Sequence, residues 1–313
     1  MLAHQVVAPS GLAGAWTFDP VLVATLAVTA LVYRRGRSRL GRRIGGQSGR
    51  RRAVAFYSGL AVLAATLMSP LDSLAATLFS AHMVQHLLLM LVAAPLLVHA
   101  RPTAALVAGL PAGWRQATGA VRGEPWRAAA RSALNPLVVW TVGTLALWAW
   151  HVPALYEAAL AHDAVHVLEH ASFLGAAALF WTVVLGSGVR PLRSGHAGRP
   201  LRSGHAGRPL RSGHAGRRGV SRPVAILLVL ASSVQSSALG LVLLLGSTAL
   251  YPVHAAGARA WEVSLVGDQR VAGGLMWGPP SFLYVVVIGW LVVRWFAEME
   301  DAPSERPSVG AGV

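Results

Sequence analysis

Residues 74–99 read LAATLFSAHMVQHLLLMLVAAPLLVH. The stretch holds no Asp, Glu, Lys or Arg, and it exceeds the roughly 20 mostly apolar residues that a helix needs to cross a bilayer core. Of its three imidazoles, His82 and His86 are spaced to share one helix face. Outward from it, further apolar runs lie near 18–33, 53–69, 134–150, 165–186, 223–246 and 271–296. The expectation is an all-α polytopic membrane helix bundle of about seven transmembrane helices. Pro20, Pro70, Pro136 and Pro223 fall at or near span ends, where a missing N–H costs least. The sixth run carries Ser232, Ser233, Gln235, Ser236 and Ser237, polar enough to read as a helix packed against other helices. Composition agrees: 54% of residues are hydrophobic and 12% charged, with a mean hydropathy of +0.53, against roughly one-quarter charged in soluble domains.

The formal charge of +15 comes from 27 basic residues, all Arg. They lie in short segments between apolar runs, with no basic stripe interleaved with aromatics, so the charge reads as topogenic and no nucleic-acid partner is expected. Segment 34–52 carries nine Arg, 100–133 five and 187–222 nine, and Arg294 and Arg306 follow; only Arg259 and Arg270 fall in the alternate set. Positive loops stay cytoplasmic. Seven spans then put the N-terminus outside and the C-terminus inside. The resulting organisation is an extracytoplasmic arm over 1–17, a seven-helix membrane domain over 18–297 and a cytoplasmic tail over 298–313. The first apolar stretch lacks a basic leader and reads as a retained helix. Within the inner loop 187–222, the nonapeptide Arg-Pro-Leu-Arg-Ser-Gly-His-Ala-Gly occurs three times from Arg190 to Gly216. Its Gly and Pro content reads as a flexible linker. Other readings of the repeat are metal capture by His196, His205 and His214, or contact of its Arg residues with anionic membrane lipid.

Most of the other nine histidines fall in or beside the outer half of the expected bundle. His82 and His86 share one face of the third span, and His162, His166 and His170 repeat the spacing on the fifth. His151 closes the fourth span, His254 precedes the seventh, and Asp72, Asp163 and Asp268 mark outer helix mouths. Ionisable groups at that depth are costly and usually face the bundle interior. Neutral imidazole costs less and ligates Cu, Zn and haem iron. The absence of Cys removes thiolate sites. Thioethers select Cu(I), and Met68, Met83 and Met276 fall in outer halves, so a His and Met site suits copper outside the cytoplasm. Glu169, beside His170, reads as an acceptor orienting an imidazole. Three other readings stand beside these: histidines and glutamate as interhelical hydrogen-bonding groups, a proton or substrate pathway, and methionines as gap fillers. Asp268 and Arg270 read as an ion pair at the seventh helix entrance, and Trp148, Trp150, Trp181 and Trp277 as interfacial anchors.

Several segments resemble one family. Ser69-Pro70-Leu71-Asp72, then Phe79 to His86 running into Ala94-Pro95-Leu96-Leu97, is similar to the hallmark of the CtaG family, assembly factors of caa(3)-type cytochrome c oxidase. Trp148 to Tyr156, His166 to Phe173, Leu250-Tyr251-Pro252 and Asp268 to Trp277 continue the likeness in the same order, from Trp16 to Trp295; the triplicated nonapeptide lies outside the family pattern. The resemblance implies a multi-pass protein of the bacterial plasma (inner) membrane, not an enzyme, needed to make active terminal oxidase and partnered by oxidase subunits. Supply of copper to the oxidase is the expected step, with His82, His86, His166 and His170 as metal ligands, His151 and Asp72 at the mouth, and Met83 beside them. The competing expectations are a haem-binding or haem-handling protein, since opposed His can supply both axial ligands, and a non-metal scaffold for oxidase subunits.

Overall fold

A computed structural model of the chain describes residues 6–41, 45–120, 123–187 and 220–300. Among the described residues every regular element is helical. The triplicated repeat from Arg190 to Gly216 and nearly all of the expected C-terminal tail lie outside them.

Proline and small polar caps start the helices where the sequence places them. Helix α1 (Pro20–Leu40) opens with Asp19 accepting the Leu22 N–H at 2.8 Å. Helix α2 (Gly46–Met68) ends at Ser69, whose hydroxyl caps α3 (Pro70–Thr77) at the Leu71 N–H. After Leu78 comes α4 (Phe79–Ala100), the span that carries His82 and His86. Short helices α5 (Thr103–Gly109), α6 (Ala112–Ala120) and α7 (Glu124–Ala133) lead to α8 (Pro136–Trp150), capped by Asn135 at the Leu137 N–H. Then follow α9 (Pro153–Ala161), α10 (Asp163–Gly186), α11 (Arg222–Leu245), α12 (Ala255–Ala260) and α13 (Leu265–Glu300).

Four of these helices, α4, α10, α11 and α13, are long and apolar enough to cross a membrane. The number rises to six if α2 with α3, bent by 48°, and α7 with α8, bent by 63°, each count as one span. α1 is apolar from Pro20 to Tyr33, but Arg34, Arg35, Arg37 and Arg39 occupy its last turns. Apolar side chains face outward along the long helices, among them Phe282 and Val285 of α13 and Leu227 of α11, as lipid contact requires.

The expected third span from 74 to 99 is broken. Leu78 is extended, at φ −124° and ψ 135°, so α3 and α4 are separate rods. Within α4 the turn Leu88–Ala93 is a π-helix. Pro95 explains it: a proline ring clashes with the carbonyl four residues back, and a widened turn relieves the clash. The Ala94 N–H donates five residues back to Leu89; the corresponding partner of the Met90 carbonyl would be Pro95, which has no N–H. The Trp181 indole donates to that carbonyl at 2.9 Å. Trp181 is 3% exposed, so its place is inside the bundle and not at the interface expected from sequence.

α4 packs on α2, α3, α10 and α13, while α8 lies against α10 and α11. The most extensive contact is that of α11 with α13. A Cβ on Gly273 would stand 2.5 Å from the Leu244 nitrogen and 2.6 Å from the Gly240 oxygen, so the two backbones touch where only glycine fits. Ser236 donates to the Met276 carbonyl, and the Ser237 and Ser281 hydroxyls meet at 3.2 Å, which places the polar side of the sixth expected span against α13.

Candidate metal centre

The first turn of α4 positions His82 and His86, and its cap comes from far away in the chain. Asp268, on α13 and 189 residues from Phe79, accepts the Phe79 N–H at 2.7 Å, the Ser80 N–H at 3.3 Å and the Ser80 hydroxyl. A carboxylate suits the positive end of a helix dipole. Gln269 accepts the Leu250 N–H and donates to the Thr248 carbonyl, and Arg270 donates to Gly246. The expected Asp268–Arg270 ion pair is therefore replaced by two separate contacts: the carboxylate caps α4 and the guanidinium holds the end of α11.

The break before α4 is held from a second side. A Cβ on Gly257 would stand 2.0 Å from the Thr77 oxygen, so α12 presses directly on the last turn of α3. The His254 Nδ1–H donates to that same carbonyl at 3.1 Å, and its Nε2 accepts the Tyr156 hydroxyl at 2.7 Å. Burial pushes the His254 imidazole down to about 4, against the opposing pull of the Thr77 carbonyl.

On this frame the two histidine faces meet. His82 and His166 have ring centroids 5.7 Å apart, and His86 and His170 are 5.3 Å apart. Glu169 lies between them: its Oε1 is 3.2 Å from His86 Nε2 and 3.5 Å from His82 Nε2. The sequence reading of Glu169 as an acceptor for an imidazole agrees with this geometry, and the imidazoles it meets are those of α4. Two sets of three ligand atoms result, His82 with His166 and Glu169, and His86 with Glu169 and His170, each with all atoms within 4.8 Å of one another. A tetrahedral shell with bonds of about 2.1 Å has edges of roughly 3.4 Å, a gap that ring rotation covers.

At the centre a buried carboxyl group stands among imidazoles. Glu169 is 1% exposed and no Arg or Lys pairs with it among the described residues. A buried carboxylate needs compensating charge, supplied by a proton on an imidazole or by a bound cation. Glu169 Oε2, His170 Nε2 and His86 Nδ1 are buried without a hydrogen-bond partner. Buried polar atoms are rarely left so.

The other sequence-derived residues divide. His151 Nε2 lies 3.4 Å from Met83 Sδ, beside the centre but in neither three-ligand set. Asp72 does not face the histidines: it accepts from Gln85 Nε2 at 2.9 Å and from the Thr17 hydroxyl at 3.0 Å, tying the N-terminal arm to α4. His162 is exposed at the start of α10, its ring turned to the Ala158 carbonyl, so it leaves the face that its spacing suggested. Met276 is buried and Met68 half-buried. Sequence reasoning passed over Gln85 and Tyr156. Gln85 shares the His82–His86 turn and Tyr156 closes the motif that begins at Trp148, and both were usable signals.

Comparison with known proteins now bears on this geometry. A family model described as cytochrome c oxidase caa3 assembly factor (Caa3_CtaG) matches residues 31–202 and 209–298. The uncharacterized protein Mb0105 of Mycobacterium bovis is 24% identical over 284 residues, covering 90% of this chain and 39% of its own length. The uncharacterized protein MT0111 of Mycobacterium tuberculosis matches with the same identity and coverage. The chain thus spans about two-fifths of the length of these curated relatives. No solved structure matches it.

Proposed function

The chain belongs to the Caa3_CtaG family of cytochrome c oxidase caa3 assembly factors, and from that premise we propose that it handles copper as cargo for the oxidase. The cargo binds at the centre formed by His82, His86, His166, His170 and Glu169. The observation that carries this reading is Glu169, a buried carboxylate shared by two histidine pairs from two helices, with ligand atoms left unpartnered around it. Imidazole ligands suit copper and zinc alike; the oxidase assembly family and the adjacent Met83 thioether favour copper. The protein acts by binding and transfer, not by catalysis, and its partners are oxidase subunits.

The same reading places the chain in the bacterial plasma membrane with seven spans, α1 being the seventh, the N-terminus outside and the C-terminus inside. Supporting it, Arg101 closes α4 at the end opposite His82 and His86, and Arg39 of α1 donates to the Ala108 and Leu110 carbonyls at that same end. Arginine on one side and the histidines on the other fit a cytoplasmic and an outer face. Haem is the weaker cargo, because Glu169 Oε1 sits within 3.2 and 3.5 Å of both α4 imidazoles, where a porphyrin plane would have to pass.

The test is metal analysis of the full-length protein purified in detergent, beside a His82→Ala/His86→Ala double variant. Copper bound by the native chain and reduced in the variant is expected. Equal copper content in the two would remove the metal role of that pair, and a Soret band in protein made with haem present would turn the reading to haem.

A further inference from the structure

The turn of α4 that carries His82 and His86 also presents Met83, and opposite it stands an imidazole in a defined protonation state. His151 Nδ1 lies 2.6 Å from the Leu147 carbonyl oxygen. A carbonyl only accepts, so the proton of the neutral ring sits on Nδ1 and Nε2 carries a lone pair. That lone pair faces Met83 Sδ at 3.4 Å, and a thioether has no proton to give. Two electron-pair donors therefore confront each other with no hydrogen between them. The residues are 8% and 2% exposed, within the apolar cluster of Phe79, Leu147, Tyr156 and Phe173. A second ring proton would relieve the contact only by burying a cation there. The arrangement is fixed from behind as well, because the Tyr251 hydroxyl donates to the His151 carbonyl at 2.8 Å.

We propose that His151 Nε2 and Met83 Sδ form a separate soft station that binds Cu(I), beside the harder imidazole and carboxylate station at Glu169. Thioether sulfur selects Cu(I) over divalent ions that favour oxygen. Geometry agrees: bonds of about 2.0 Å to nitrogen and about 2.3 Å to sulfur that close a 3.4 Å edge meet at roughly 100° at the metal. That angle belongs to a three- or four-coordinate ion, which leaves positions for an incoming or outgoing ligand. The ligand pair is neutral, so a monovalent ion brings the smallest charge into the apolar cluster. Met83 follows His82 directly in α4, so soft and hard stations adjoin, and an ion leaving one is within a side chain's reach of the other. The inference rests on the proposed function for copper as the cargo, but its ligand pair is independent of Glu169.

The experiment uses full-length, selenomethionine-labelled protein in detergent, loaded anaerobically with one equivalent of Cu(I) and read by X-ray absorption at the copper edge. A copper–selenium shell is expected in the native chain and in Glu169→Gln. It should disappear in Met83→Leu and weaken in His151→Gln. Cobalt(II) reads the other station independently, since its visible bands should survive Met83→Leu, which also certifies the fold of that variant, and vanish in Glu169→Gln. A shell of nitrogen and oxygen alone in the native chain, or a selenium shell that persists in Met83→Leu, overturns the soft station. Absence of cobalt bands from the native chain speaks only against the Glu169 centre of the preceding proposal.

Discussion

The α11–α13 pair and the α4–α10 pair are both helix contacts inside one bundle, yet they are built on opposite terms. At the first, glycines bring backbones together and serine hydroxyls find partners across the gap. At the second, imidazoles and a carboxylate line the contact and several of their polar atoms have no partner. Small residues give van der Waals packing, which is what holds helices together when lipid removes the hydrophobic drive between them. Unpartnered polar atoms cost stability. The α11–α13 contact thus serves as scaffold and the chemistry sits at α4–α10, and the two are joined at the start of α4, which Asp268 of α13 caps and which Gly257 and His254 of the preceding segment brace.

The largest test of that division is acidification, which strikes the brace. Burial holds the folded His254 near 4, against 6.5 for the free side chain; the Thr77 carbonyl and Asp268 pull upward and His82 downward. The unfolded chain binds this proton first as pH falls. The stabilising contribution is therefore complete above about 6.5 and lost as pH falls through about 4, worth about 3 kcal/mol in all. Unfolding in mixed detergent micelles should show this slope, and His254→Gln should flatten it. An unchanged slope in the variant would separate His254 from the brace.

Next in size is the scaffold itself. Gly273→Ala puts a methyl group against the Leu244 and Gly240 backbones, which cannot rotate away, and overpacking of this kind costs about 2 kcal/mol. Cobalt binding at Glu169 should be unaffected in the fraction that remains folded. Loss of metal binding in parallel with stability would show that the two helix pairs are not independent.

Much of this frame is legible in the sequence alone. The apolar runs, the prolines that open helices and the paired histidines follow from spacing along a single helix, and single-helix rules suffice for them. What was not legible depends on groups distant in sequence. The break at Leu78 is stabilised by Asp268, Gly257 and His254, all near the other end of the chain. Glu169 reads from sequence as an acceptor for an imidazole, but which imidazoles it meets, those of His82 and His86, depends on how α4 and α10 pack. Trp181 resembled an interfacial anchor because composition carries no sign of the carbonyl that Pro95 leaves free.

Asp268→Asn is the third test. It keeps the shape of the cap on α4 but exchanges a charged acceptor for a neutral one, and hydrogen bonds to charged groups exceed neutral ones by about 1 kcal/mol. A loss of that order is expected in the same unfolding assay. Because the cap sets where α4 begins, cobalt affinity should fall with it even though Asp268 touches no candidate ligand. Intact affinity would mean that the imidazoles are positioned by α10 alone.

The smallest expected effect on stability is at the centre, and it is the most informative. Glu169→Gln removes a buried carboxylate that no Arg or Lys neutralises, so the desolvation cost of the charge disappears together with its attraction to the imidazoles. The two changes oppose each other, and the net effect on unfolding should stay below about 1 kcal/mol in either direction. Cobalt binding, by contrast, should be lost, since the amide supplies no anion to either three-ligand set. A substitution that leaves stability nearly unmoved and abolishes binding marks a residue retained for its ligand chemistry. A large destabilisation would instead make Glu169 an interhelical hydrogen-bonding group, and the contrast between the two helix pairs would vanish.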